Sequence, residues 1–320
     1  MKTHSSGADL QRALAQLALK SAATSTKPNF INRVHAAIES CTGMKFSKPS
    51  TKTARKANSG VSLMNSLGMR FKQIPAGTFT HIDKSGEETS CSVTQPYHIG
   101  VYEVTQGQFS RVVGRNPVRS ELLPIHDNLP VSNITSYDAL KFCQKLSDLD
   151  SEKKTGRSYR LPTELEWELA CRGGTASRFS FGEVGDFQRK FANFATVKAY
   201  TPLTSGSLPS KVGSYPANDF GLYDMHGNVC ELCMDKAGKW AASTPDFVRL
   251  GNRAYTHVLR GGDFFTLVKD SGSSYRDRHY EYTGNVRALY VGFRVVCVTR
   301  KQSELDKKVL AAQAAILGKK

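Results

Sequence analysis

From residue 61 to residue 298, Gly, Pro, Asn and Asp recur so often that no long helix or strand fits between them. Each interrupts regular structure for its own reason. Glycine adopts positive φ, proline lacks a backbone donor, and Asn and Asp close turns on their own backbone. A run of about 240 residues punctuated in this way predicts one loop-rich α+β body.

Two helices are expected inside that body. "SYDALKFCQKLSDLD" follows a cap candidate, Thr135 or Ser136, and sets Ala139, Phe142, Cys143 and Leu146 on one face. "PTELEWELACRGG" has Pro162 near its first turn, carboxylates at the positive end of its dipole, and Gly173 as its stop. Leu161, Leu165 and Trp167 are core candidates there, while Glu164 and Glu168 are expected to pair with arginines at helical spacing.

Residues 1–44 read as a basic helical extension, with Leu10, Leu14 and Leu17 on one stripe and Phe30, Val34 and Ile38 on another. Residues 45–60, "KFSKPSTKTARKANSG", read as a linker. Residues 299–320 predict a final basic helix with a Ser303–Asp306 capping box, an apolar side of Leu305, Val309, Ala312 and Ile316, and an end at Gly318. Docking on its own chain is the simplest arrangement for it.

Charge is concentrated at the ends. Residues 1–60 carry ten Lys/Arg against Asp9 and Glu39, and residues 300–320 carry six against two acids. The tails therefore hold 12 of the 16 excess positive charges, which favours an acidic partner or nucleic acid there. Aromatic residues are not interleaved with those charges as single-strand binding requires. No run approaches 18 apolar residues, so membrane insertion is not expected. The first 30 residues lack the apolar core of a secretory signal, so a cytoplasmic location is expected. Seven cysteines, an odd number without an export signal, point to reduced thiols. Cys230 and Cys233 form a CxxC, but no second pair completes a zinc site of the usual spacing.

One stretch stands apart: "RGGDFFTLVKDSGSSYRDRHYEYTGNVRALYVGFR", Arg260 to Arg294. Its ends, RGG and GFR, have the look of fixed punctuation, while its middle follows neither a helical nor a strand period. Between Gly262 and Gly292 lie 29 residues, six of them aromatic, about twice the chain's 9%. Tyrosines among small and charged residues are the composition of antibody paratopes, where rigid rings bind at low entropic cost.

The ordered motifs "IPAGTF", "YHIGVYEVTQGQF", "LPVSNITSYDALKFC", "YRLPTELEWELACRGG", "VGSYPANDFGLYDMHGNVCEL", "VLRGGDF" and "VGFRVV" resemble the formylglycine-generating enzyme (sulfatase-modifying factor) family. That family is a branch of the C-type lectin fold, and the resemblance spans residues 61–298, roughly three quarters of the chain. It implies a calcium ion held by Asp224, the carbonyls of Gly227 and Val229, and Glu231, a donor set of the oxygen type that calcium takes. A second family calcium site would begin at Asn193 and Phe194, where the following aspartate has no clear counterpart.

Active members of the family place two copper-binding cysteines four and nine residues after the last glycine of RGG. Those positions are Thr266 and Ser271 here, and hydroxyls are poor copper(I) ligands, so no copper is expected. The family's Ser-Trp reads Asp263-Phe264. The HxxxHxE iron motif of a related sulfoxide-forming branch does not occur.

With the copper pair replaced, the expected function is non-catalytic ligand binding by a face built from residues 263–291. Its candidate contacts are Asp263, Phe264, Phe265, Thr266, Lys269 and Tyr275 on the outgoing side. Arg278, His279, Tyr280, Tyr282, Arg287 and Tyr290 follow on the return. The expected partner is a protein or other macromolecule. Diversity-generating retroelements write variation at this place in C-type lectin folds, through adenine codons. All residues of 263–291 except Lys269 and Glu281 are reachable in that way. About four fifths of any segment would qualify, so composition permits this reading without selecting it. The alternatives are a metal-dependent oxidase working through Cys230, Cys233 and His226, and a scaffold subunit assembling through its tail helices.

Overall fold

The computed structural model describes residues 63–119, 121–183, 190–195, 208–236, 257–277, 287–299 and 303–318. The expected N-terminal helices and the linker lie outside the described residues, as do Arg278, His279, Tyr280 and Tyr282.

Among the described residues, three sheets built from short strands make up the body, as the density of turn residues demands. The largest has the order β1 (Leu63–Met64), β2 (Arg70–Ile74), β5 (Tyr97–Gly100), β10 (Val296–Val298), β6 (Ser158–Arg160), and every pair in it is antiparallel. A hairpin joins β3 (Gly77–Ile82) to β4 (Glu88–Val93). The third sheet has the order β8 (His257–Arg260), β7 (Cys230–Lys236), β9 (Val291–Gly292), with β9 parallel to β7. Strand β9 lies in the small sheet and β10 in the large one, so Phe293–Val295 carries the chain from one to the other.

Helices α1 (Gln106–Val113), α2 (Ser136–Asp148), α4 (Glu164–Arg172) and α5 (Glu304–Leu317) each begin with a complete capping box, set by Thr105, Thr135, Thr163 and Ser303. The short α3 spans Asp150–Thr155. Helices α2, α4 and α5 match the sequence expectation, with Thr135 and not Ser136 as the cap. Helix α1 was not foreseen. Gly173 stops α4 in the left-handed region at φ 59°, whereas Gly318 ends α5 at φ −75°, an ordinary helical value.

Stacked and edge-on contacts among Phe109, Phe142 and Phe293 centre one part of the core, with all three rings fully buried. Trp167, Ile74 and Ile99 centre another. Each such side chain contributes roughly 1.5–3 kcal/mol by leaving water. Helix α5 docks on the body through buried Val309 and Ile316, and Arg160 Nε donates to Asp306 Oδ1 at 2.9 Å.

Asp235, buried in β7, accepts the Glu164 N–H at the start of α4 at 2.6 Å. Burial, with Glu164 close by, pushes its carboxyl up to about 8. A carboxyl whose folded pKa is raised adds stability that is full below its unfolded value and is lost as pH rises through about 8. Asp235→Asn keeps an acceptor oxygen but cannot ionise. Its unfolding free energy is expected to be flatter than that of the parent between pH 4 and pH 8, measured by denaturant titration at several pH values.

Candidate functional site

Both ends of the Arg260–Arg294 stretch are anchored by fully buried arginines. Arg260 closes β8, pairs with Glu168 and Glu164 of α4, and lies 5.2 Å from the centre of the Trp167 ring. The same guanidinium donates to the carbonyls of Ser273 and Tyr275, tying the outgoing chain back to the helix. Burial alone would raise Glu168, but Arg260, His81 and Arg172 hold it down at about 2. After Arg260 come Gly261 at φ 93° and Gly262 at φ 72°, a left-handed pair that favours glycine.

At the other end, Arg294 holds Glu231 through two nitrogens, Nε and Nη2, each at 2.6 Å. It also donates to the carbonyls of Gly100 and Tyr223 at 3.1 and 3.0 Å. Gly292 sits so close to its neighbours that a Cβ there would lie 2.6 Å from the Val131 carbonyl and 2.7 Å from Val229 Cγ2. Each of these buried arginines serves at least one carboxylate and two carbonyls at once, which fixes the two brackets.

Between the brackets, the structure corrects two expected contacts. Phe264 is fully buried against Val118, Leu123 and Val229. Asp263 is 2% exposed, and its Oδ1 accepts the N–H groups of Phe265 and Thr266 at 2.9 and 2.8 Å. Both side chains are therefore buried beneath the segment and do not reach the surface. Phe265, Thr266, Tyr275 and Tyr290 are half-buried, and Lys269 is exposed. Phe265 and Tyr290 meet edge to face at 5.1 Å, so the outgoing and returning chains touch there. Arg287 is exposed but pairs with Asp138 at 2.9 Å, which places it at the start of α2.

Further residues, absent from the sequence expectation, shape this segment. Arg178 Nε donates to the Ser271 carbonyl at 2.9 Å and holds the short 3-10 turn Val268–Asp270 in place. Asp277 returns to β8 through its N–H to the Leu259 carbonyl at 3.0 Å. Neither position has a motif that marks it in sequence.

Thr266 and Ser271, at the places of the family's copper cysteines, flank Gly262: a Cβ there would lie 3.3 Å from Thr266 Cγ2 and 3.5 Å from Ser271 Cβ. Both side chains end in hydroxyls, already engaged at 3.2 Å with the Asp263 N–H and at 2.8 Å with the Val268 carbonyl. The alternative set of Cys230, Cys233 and His226 is not assembled. Cys230 faces the core of Phe109 and Phe142, and Cys233 faces the core of Trp167, three residues on along β7. His226 instead lies 3.6 Å from the Cys171 sulfur and accepts the Ser180 N–H at 3.1 Å. Burial depresses its imidazole to about 3, so it is neutral.

The Asp224–Glu231 turn is tight, with Asp224, Gly227 and Asn228 at φ 56°, 76° and 64°. Asp224 Oδ2 accepts the Gly213 N–H at 2.6 Å, and its buried Oδ1 has no hydrogen-bond partner among the described residues. Burial pushes the Asp224 carboxyl up to about 6, and buried Glu103 beside it is raised well above the usual carboxylate range. Glu231, however, gives both oxygens to Arg294 and also accepts the Trp167 indole N–H at 2.7 Å. A calcium ion would have to take that carboxylate from the arginine. The implied ligand set of Asp224, Gly227, Val229 and Glu231 therefore does not fit calcium in this arrangement.

Short mixed sheets, few helices and a long bracketed segment define a C-type lectin-like fold of the formylglycine-generating type. The chain belongs to the sulfatase-modifying factor enzyme 1-like family, whose profile matches residues 68–299. Among solved structures it is similar to Treponema denticola variable protein 1, with a TM-score of 0.60 and 25% identity over 74% of this chain and 99% of that one. Among curated proteins it is 33% identical to the Chlamydia pneumoniae serine/threonine-protein kinase pkn1, over 57% of this chain and 26% of that protein. It is 32% identical to the mouse formylglycine-generating enzyme over 38% of this chain and 31% of that enzyme. The chain thus spans about a quarter to a third of the length of these two relatives. Among the described residues no helix is long and apolar enough to cross a membrane.

Proposed function

We propose that the chain is a non-catalytic binding protein whose recognition face is the segment between the arginine brackets, diversified by a retroelement. The observation that carries this reading is a contrast of rigidity. Arg260 and Arg294 are locked in buried ion pairs, while Phe265, Thr266, Lys269, Tyr275 and Tyr290 between them reach the surface. Hydroxyls at Thr266 and Ser271 favour binding over oxidation, since copper(I) needs thiolates. Similarity to a protein called a variable protein supports the same reading. The ligand is a protein or other macromolecule, and the basic tails add an acidic partner or nucleic acid.

Sequencing of codons 260–294 across a population of the source organism tests the diversification. Variation is expected at half-buried positions such as 265, 266 and 275, with Gly261, Gly262, Phe264, Gly292 and Arg294 constant. Uniform reads throughout would remove the retroelement from the account. Oxygen uptake on a cysteine-containing peptide, with and without copper, is expected to stay at background, and turnover there would favour the oxidase.

A further inference from the structure

Three acidic donors from separate parts of the chain meet beneath the recognition segment: Cys230 of β7, Asp263 just after RGG, and Asp277 where the chain returns to β8. The Cys230 sulfur lies 3.5 Å from Asp263 Oδ2 and 3.3 Å from Asp277 Oδ2, and all three donor atoms fall within 4.8 Å of one another. Cys230 and Asp263 are buried, and Asp277 is half-buried.

The arrangement sets one thiol against two carboxylate oxygens. A thiol has one proton, so it can donate to only one of the two carboxylates. The second sulfur–oxygen contact then receives no proton from the thiol. A divalent cation would serve both contacts at once. An ion with sulfur at about 2.3 Å and oxygen at about 2.0 Å imposes a tetrahedral sulfur–oxygen edge of about 3.5 Å. The two sulfur–oxygen distances already match that edge.

We propose that Cys230, Asp263 and Asp277 form a three-donor site for a zinc-class divalent ion. One thiolate and two carboxylates suit borderline ions such as zinc or cobalt(II). Copper(I) would want a second sulfur, and calcium or magnesium would refuse the first. Binding forms a metal–sulfur bond and releases the thiol proton to solvent. Three protein donors leave the fourth tetrahedral vertex to water or to a donor atom of a bound partner. The ion ties both ends of the 263–277 loop to β7, so it braces the outgoing half of the recognition segment.

The experiment titrates cobalt(II) into the purified full-length chain after chelator treatment and dialysis. One equivalent is expected to bind with thiolate-to-cobalt charge-transfer absorption, to be displaced by zinc, and to release a proton. Cys230→Ser is expected to abolish the charge-transfer band. Asp263→Asn and Asp277→Asn are each expected to weaken binding roughly tenfold or more. Cys233→Ser, on the opposite face of β7, is expected to leave the band unchanged. Circular dichroism checks the fold of each variant, and if Cys230→Ser does not fold, the half-buried Asp277→Asn decides. The proposal is overturned if the parent shows no charge-transfer band, if the band survives Cys230→Ser, or if Asp277→Asn binds as tightly as the parent.

Discussion

Replacing Arg294 with alanine is expected to cost about 3–5 kcal/mol of folding stability, because it strands a buried carboxylate. For a body of this size that corresponds to a drop in Tm on the order of 10 °C. Glu231 would keep only the Trp167 indole N–H, and the carbonyls of Gly100 and Tyr223 would each lose a donor. Arg294→Lys keeps the charge but loses the fork that grips both Glu231 oxygens, so an intermediate loss is expected. Denaturant unfolding of the two variants, with Glu231→Gln and the double variant Glu231→Gln/Arg294→Ala, measures the coupling. The double loss is expected to fall short of the sum of the single losses, since the second substitution removes a group the first has already left unpaired.

The second large effect separates floor from face. Phe264→Ala is expected to cost about 3–5 kcal/mol, because the ring is fully buried among Val118, Leu123 and Val229 and its loss leaves a cavity. Its neighbour Phe265 is half-buried over the same cluster, in edge contact with Tyr290, so Phe265→Ala is expected to cost markedly less. Thermal unfolding of the two variants side by side checks the difference. Equal losses would mean that the two rings play the same part.

The helices show what local sequence encodes. Thr135, Thr163 and Ser303 each stand three residues before an acid, and that spacing predicts the capping boxes of α2, α4 and α5. Helix α1 uses the same device with Thr105 and Gln108. No apolar stripe marks it in the sequence, because its buried positions are Gln106, Gly107 and Phe109. Arg160 and Asp306, 146 residues apart, fix where α5 docks, and no local pattern marks that pair.

Long-range pairing also limits the site. Helical spacing correctly joins Glu168 to Arg172, but Glu164 takes Arg260 and Arg276 from about a hundred residues away. The brackets were visible as RGG and GFR, whereas the carboxylates that hold them were not visible as partners. Asp263 and Phe264 looked displayable by composition alone. In the fold, one oxygen of Asp263 closes a turn and the Phe264 ring packs among Val118, Leu123 and Val229. Glu231 looked like a metal ligand by motif, yet its salt bridge to Arg294 crosses 63 residues of sequence.

The central claim is that the surface between the brackets binds a macromolecule and the residues beneath it do not. Binding of the purified full-length chain to an array of proteins, peptides and glycans tests it most directly, with Phe265→Ala and Lys269→Ala run beside it. The account predicts a saturable ligand whose affinity falls at least tenfold in those variants while their Tm stays near the parent value. A ligand bound equally well by the variants, or no saturable ligand alongside measured turnover of a cysteine-containing peptide, would contradict it.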